Sequence, residues 1–276
     1  MLHASHKSWH PLTRWSTMSL LDVRSLSKSF PHGSTLRPAV DDVSFTLREG
    51  ETLALVGESG AGKSTTGRLV LRLIDADSGE ISIRGRDVRG LRGADLRNFR
   101  RDAQMIFQDP FSSLNPRMRI WKAVAEPLLV HRVCPRGELK DRAAALLDSV
   151  GLGTHLLDRY PTGLSGGQLQ RAAIARALST DPSLIVCDEP VAALDVSVQA
   201  QVINLLLDIQ EQRGVAYLFV THDLALVEKV AHSVAVMRAG KIVEHATTGT
   251  LFSAPEQDYT RTLLSAIPEM PETATV

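Results

Sequence analysis

The stretch Gly57-Glu58-Ser59-Gly60-Ala61-Gly62-Lys63-Ser64 constrains this chain more than any other. It fits the pattern G-x-x-x-x-G-K-[ST] and lies between an apolar run, residues 52–56, and a helical pattern from Lys63 to about Leu73. Glycines let the main chain wrap closely around a phosphate, with successive N–H groups turned inward. The start of a helix adds the positive end of its dipole. In that setting Lys63 reaches β- and γ-phosphates, Ser64 ligates Mg²⁺, and Thr65 continues the cradle. A strand–loop–helix unit of this kind belongs to a parallel sheet in an α/β fold.

The rest of the pattern agrees. Residues 20–26 and 43–47 alternate apolar and polar, as half-buried strands do. Residues 79–85 read as another strand. From 111 to 180 the spacing turns helical, with Ala143, Leu146, Leu147 and Val150 on one face of residues 142–150. Strands then return at 184–188 and 216–220, with helices at 196–212 and 224–231. A closing hairpin is expected at 234–237 and 241–244, around Ala239 and Gly240. Alternating strands and helices imply a sheet covered on both faces. There is no internal repeat.

Apolar residues make up 43% of the 276, enough for a sizeable core, and the net charge is zero. Neutrality argues against a nucleic-acid partner, because binding to phosphate backbones is driven by net positive charge. An arginine-rich stretch (Arg84, Arg86, Arg89, Arg92, Arg97, Arg100, Arg101) reads as a solvated edge. Two cysteines, Cys134 and Cys187, lack metal-ligand spacing and point to a reducing compartment. No apolar run approaches the ~20 residues of a membrane-spanning helix. Residues 1–17 are expected to be a disordered tail or a misassigned start ahead of Met18. Their histidines, His3, His6 and His10, are read as part of that tail rather than as a metal site.

Two further segments carry chemistry. The apolar strand 184–188 ends in Asp188 and Glu189, which puts two carboxylates at the carboxyl end of a parallel sheet, where ligands bind. Asp188 is placed to hold the Mg²⁺ shell and Glu189 to polarise a water. Cys187 reads as a buried strand residue. The second segment is Leu164-Ser165-Gly166-Gly167-Gln168, ahead of a helix at 170–178. Ser165 is a natural N-cap. A cap alone does not explain two adjacent glycines, each costing about 1 kcal/mol in helix propensity. A helix start with bare backbone and a hydroxyl is a second anion site.

"LSGGQ", between a phosphate loop and "LIVCDEP", resembles the signature of the ATP-binding-cassette (ABC) ATPases, over roughly residues 20–250. The resemblance implies an α/β P-loop NTPase cassette with a mainly parallel core sheet, an antiparallel β subdomain and an inserted helical subdomain. The expected division is an ATPase core at 18–110 and 181–250, a helical subdomain at 111–180 and a tail at 251–276. By the same resemblance Gln108 senses the γ-phosphate and Mg²⁺, His222 is the switch histidine, Asp195 lies on the dimer loop and Phe30 stacks on adenine. Two subunits of that family pair head to tail, so Ser165 and its neighbours would act on the partner's ATP.

"IFQDPFSSLNPR", "AEPLLVH" and the tail "DYTRTLLSAIP" resemble the peptide, opine and nickel importer branch. Its members pair two ATPase chains with two transmembrane permeases and an extracytoplasmic solute-binding protein. This chain resembles the second ATPase, working at the cytoplasmic face of the membrane. Residues 106–127 are expected to meet the permease. No cysteines follow "SAIP", so no iron–sulfur cluster is expected, and "QDYT" stands where the branch has "HPYT". The alternative is a soluble clamp acting on DNA or ribosomes, but the coiled-coil, zinc or tandem-cassette additions of such proteins are absent. A non-hydrolysing regulator would lack Glu189 or His222.

Overall fold

The computed structural model describes residues 19–33 and 35–266. The expectations for residues 1–17, and for the chain beyond Ala266, fall outside them.

The chain opens with two 14-residue strands, β1 (Ser19–His32) and β2 (Thr35–Arg48), paired antiparallel. Val40, Val43, Phe45 and Leu47 face inward from β2, the alternation visible in the sequence. β3 (Thr52–Val56) is buried at every position and leads into α1 (Lys63–Val70). β4 (Ser78–Ile83) pairs with β1, and the short β5 (Arg86–Asp87) with β4, giving an antiparallel sheet in the order β2-β1-β4-β5. α2 (Gly93–Asp102) and β6 (Ala103–Ile106) follow. A helical run then comprises α3 (Pro110–Ser113), α4 (Ile120–Val130), α5 (Leu139–Ser149) and α6 (Gly166–Leu178). The chain returns to the sheet with β7 (Leu184–Asp188), α7 (Val196–Arg213), β8 (Ala216–Val220), α8 (Leu224–Val230) and β9 (Ser233–Arg238). β10 (Lys241–Thr247), α9 (Thr248–Ser253) and α10 (Asp258–Ser265) complete it.

The second sheet runs β10-β9-β3-β8-β7-β6. Its inner strands are parallel and β10 is an antiparallel edge. Ala239 and Gly240, both at positive φ, make the tight turn into β10. Side chains of the central strands divide between two cores. Ile185, Cys187, Tyr217 and Phe219 pack with the helical run, while Leu184, Val186, Leu218 and Val220 pack with α1 and the antiparallel sheet. Both faces of β7 and β8 are therefore buried, which is why their sequences show no alternation. Each buried Leu, Ile or Val contributes about 1.5–3 kcal/mol. This is the α/β cassette expected from the sequence.

Three details differ from expectation. The helix after the phosphate loop ends at Val70, not Leu73, because Arg72 takes a left-handed φ of 52°. Its buried guanidinium donates to the main-chain oxygens of Val88 and Arg89. The arginine-rich stretch contains a helix and is more than a solvated edge. Arg84 and Arg86 pair with Glu49 and Asp95, and Arg89, Arg92 and Arg100 donate to main-chain carbonyls. The expected tail at 251–276 is folded as far as Ala266: α9, which begins at Thr248, and α10 pack on the sheet, with Leu251, Tyr259 and Leu263 joining the apolar cluster of Ala54 and Val56.

Candidate active site

Parallel strands in register deliver their carboxyl ends to one edge. Leu55 and Asp188 both lie opposite Val220, and Ile106 lies opposite Cys187. The loops that leave these strands carry Gly57, Gln108, Glu189 and His222 to the same place. Two glycines make the phosphate loop possible. Gly57 has φ 142° and a Cβ there would fall 2.1 Å from Met237 O; Gly62 has φ 104° and its Cβ would fall 2.2 Å from Ala39 O. No larger residue fits between the loop and the strands flanking it.

Lys63 begins α1 and is 4% exposed. Its ammonium donates to the carbonyls of Gly57 (2.7 Å) and Glu58 (2.9 Å). Burial draws its pKa below the usual lysine range, and the charges of Glu189 and Asp188 partly counter that. Ser64 Oγ donates to Asp188 Oδ1 at 2.6 Å. Hydroxyl and carboxylate oxygens in contact are a donor set suited to Mg²⁺.

Glu189 sits at φ 48°, a left-handed conformation uncommon for a side chain of this type. Its N–H donates to Val220 O at 2.9 Å, which ties the strained residue to β8. The turn aims the carboxylate across the sheet edge. Gln108 Nε2 donates to Glu189 Oε2 (2.7 Å), and His222 Nδ1 to Oε1 (3.0 Å). Both carboxylate oxygens are thus fixed, in the cleft that Lys63 also lines. Cys187 beside it is fully buried, and burial pushes its thiol pKa well above the ordinary range, so it is no nucleophile.

These residues line a cleft of about 580 Å³ with Ser59, Gly60, Ser64 and Thr65. Ala61 is buried beneath the loop, and Asp188 reaches the cleft through Ser64. Phe30 is not on its lining; it is 40% exposed near the end of β1, with Lys28 Nζ 5.6 Å over the ring. Ala39, Leu224 and Leu263 do line the cleft and were not expected from the sequence. A larger hollow of about 1130 Å³ lies against the antiparallel sheet, where Asp22, Arg24, Asp87 and Arg89 largely offset one another. It holds none of the phosphate-loop chemistry.

Leu164, Ser165, Gly166, Gly167 and Gln168 form a separate feature, the start of α6. Ser165 Oγ accepts from Gln168 N–H (3.3 Å) and Gln168 Oε1 accepts from Ser165 N–H (3.0 Å), a reciprocal cap. Packing explains one of the glycines: a Cβ on Gly167 would fall 2.5 Å from Val198 Cγ1 of α7. Asp195 is exposed at the N-terminus of α7, and Gln199 braces its loop by donating to the carbonyls of Val191 and Leu194.

The comparisons with known proteins agree with this geometry. The profile of a family described as "ABC transporter" matches residues 40–192. The chain is 50% identical over 256 residues to the glutathione import ATP-binding protein GsiA of Pectobacterium atrosepticum, covering 90% of this chain and 41% of that one. It is 49% identical over 257 residues to the probable peptide ABC transporter ATP-binding protein y4tS of Sinorhizobium fredii, covering 91% and 73%. It is 48% identical over 256 residues to the oligopeptide transport ATP-binding protein OppF of Bacillus subtilis, covering 91% and 83%. It thus spans less than half the length of GsiA and most of the other two. Among solved structures, the ATP-binding cassette MJ0796, a dimer bound to ADP and Pi, superposes with a TM-score of 0.76 at 28% identity, over 83% of this chain and 98% of that one. CbiO1 from Clostridium perfringens superposes at 0.75 and 27%, over 86% and 91%. Phosphate loop, strand-end carboxylates, capped glycine helix and relatives converge: the chain belongs to the ABC transporter family.

Proposed function

We propose that this cassette hydrolyses ATP in the cleft beside Lys63 to drive an importer for peptides or related small solutes, such as dipeptides, oligopeptides, opines or nickel chelates. The observation that carries the hydrolytic reading is the Glu189 carboxylate, gripped by Gln108 and His222 in the cleft lined by a buried Lys63. Lys63 and the N–H groups of Gly60, Ala61, Gly62, Ser64 and Thr65 hold the β- and γ-phosphates. Ser64, Asp188 and Gln108 are the ligands available to Mg²⁺, which when bound neutralises charge on the phosphate oxygens. Glu189 orients the attacking water and accepts its proton. His222 fixes Glu189 and reaches toward the γ-phosphate. Phe30 flanks the adenine.

Leu164, Ser165, Gly166, Gly167 and Gln168 complete the site of a second ATPase subunit, with Asp195 at the seam. That subunit is a different chain or a second copy. Closure of the pair assembles the charge stabilisation that phosphoryl transfer needs. Import requires two transmembrane permeases and, indirectly, an extracytoplasmic solute-binding protein. Among the described residues no helix is long and apolar enough to cross a membrane. On the importer reading, the cassette works as a peripheral subunit on the cytoplasmic face. We assign permease docking to the groove of Met105, Phe107, Pro127, Val130 and His131, together with Phe111, which follows Phe107 in the chain and is 58% exposed.

Glu189→Gln tests the chemistry. Steady-state hydrolysis should fall at least about 100-fold, while titration with a fluorescent ATP analogue stays unchanged and ATP traps a dimer. An unchanged rate removes Glu189 from the reaction. Co-purification with two polytopic membrane proteins supports import; ATP-dependent capture of DNA or ribosomes supports the clamp instead.

A further inference from the structure

The helix α10 lies against the phosphate loop. Tyr259 Oη accepts a hydrogen bond from Glu58 N–H at 3.3 Å, joining residues 201 positions apart. The ring of Tyr259 is itself held, because the guanidinium of Arg238, at the end of β9, lies 4.8 Å over its centroid. Glu244 of β10 anchors the start of the helix, accepting from the N–H groups of Glu256 (2.8 Å) and Gln257 (3.1 Å). Tyr259, Leu263 and Leu264 pack against an apolar cluster that includes Val56, which precedes the phosphate loop, and Leu224, two residues after His222. Leu263 also lines the cleft that holds Lys63, Gln108, Glu189 and His222.

The Gly57–Glu58 peptide is therefore gripped on both edges: its carbonyl, on Gly57, by Lys63 Nζ at 2.7 Å, and its N–H, on Glu58, by Tyr259 Oη. When Lys63 exchanges the Gly57 carbonyl for a phosphate, the Gly57–Glu58 peptide is freed to turn unless its other edge is held. The tyrosine hydroxyl holds that edge. We infer that Tyr259 is a positioning residue for nucleotide binding: it holds the phosphate loop from outside, and α10 forms part of the site. The inference rests on the reading of the cleft as an ATP site.

The decisive variant is Tyr259→Phe, in the full chain. It keeps the ring, its packing and the Arg238 contact, and removes only the acceptor oxygen. Loss of one hydrogen bond predicts an increase of about threefold to tenfold in the Kd of a fluorescent ATP analogue with Mg²⁺, and in the KM for ATP. The kcat at saturating ATP should change less than twofold, and the Tm should hold. Tyr259→Ala should show the same KM effect plus a lower Tm, because it also removes the ring from the apolar cluster of Val56 and Leu224. Lys63→Ala serves as the control for the site itself. If it loses nucleotide while Tyr259→Phe binds like wild type, the inference is wrong and the site stands. If Lys63→Ala binds normally, the site reading fails. A Tyr259→Phe variant that loses Tm or kcat with KM unchanged makes α10 a structural cover only, and also overturns the proposal.

Discussion

Gly67 lies inside α1, one turn beyond Lys63. In an isolated helix alanine is favoured over glycine by about 1 kcal/mol. Here the sign should reverse. A Cβ at this position would fall 2.8 Å from Val186 Cγ1 and 4.0 Å from Val220 Cγ2. The first contact is about 1 Å inside the optimal carbon–carbon separation. Val186 is fully buried in β7, and a β-branched side chain in a filled core has little rotamer freedom. Overpacking of this kind costs about 1–3 kcal/mol. Setting the propensity gain against that leaves a net loss centred near 1 kcal/mol. For a chain of this size that lowers Tm by about 2–4 °C. Lifting α1 also draws Ser64 away from Asp188, now 2.6 Å distant, so affinity for ATP with Mg²⁺ should fall with Tm. The assay is calorimetry and ATP titration on Gly67→Ala, Val186→Ala and the double variant. Val186→Ala opens space that the new methyl partly fills. The double loss should therefore be smaller than the sum of the single losses by more than ~0.5 kcal/mol. A raised Tm for Gly67→Ala, or strict additivity, refutes the close-packing argument.

Three other outcomes follow from buried groups. Gln170 in α6 is fully buried, and its amide has no hydrogen-bond partner among the described residues. Gln170→Met should raise stability by about 1–3 kcal/mol in urea titration, and a fall would reveal a partner for the amide. Cys134 is half-buried, while Cys187 is buried with its thiol pKa raised. A thiol reagent should label Cys134 in the native protein and Cys187 only after unfolding; two rapid equivalents would contradict this. Burial raises the Glu244 pKa, but the nearby Thr260 hydroxyl, hydrogen bonds from Glu256 N–H and Gln257 N–H, and the charge of Arg261 outweigh it and hold the group low. A carboxyl below its unfolded value of about 4.3 stabilises the fold above that pH, and the gain is lost as pH falls through the folded value. Glu244→Gln should therefore lower Tm at neutral pH, with the gap closing below about pH 4. A gap that does not vary with pH would mean the carboxylate charge contributes nothing.

What could be read from the sequence follows from the physics of burial. The strands at 184–188 and 216–220 end within one residue of the end of their apolar runs, because a parallel strand covered on both faces has little room for polar side chains before it leaves the sheet. The phosphate loop was legible because only one backbone path satisfies its glycines. The grouping of Glu189 with Gln108 and His222 was reachable only through the family resemblance. These residues are 81 and 33 positions apart, and no local periodicity connects them. β6 was missed because it spans only four residues directly after α2, too short for a period to emerge. α10 carries Tyr259 and Leu263 at helical spacing, so its existence could have been read, but where it docks could not.

The start of α6 shows how packing and binding compete for one signal. Two adjacent glycines in a first turn suggested an anion site because helix propensity disfavours them. Gly167 has a sufficient reason in Val198 Cγ1, 2.5 Å from where its Cβ would lie. That glycine lets α6 approach α7, and it would be required even if no nucleotide were ever bound there. The Gln168 N–H is spent on the Ser165 cap. What remains to offer a partner's phosphate is the Ser165 hydroxyl hydrogen and the N–H groups of Gly166 and Gly167. Gly166 meets only Leu194 Cδ2, at 3.4 Å. An alanine at residue 166 is therefore nearly free in stability, and any cost it imposes must appear in the ATP-dependent assembly of two subunits. Gly167→Ala, by contrast, should lower Tm in the monomer. Comparing the two variants separates the binding signal from the packing signal.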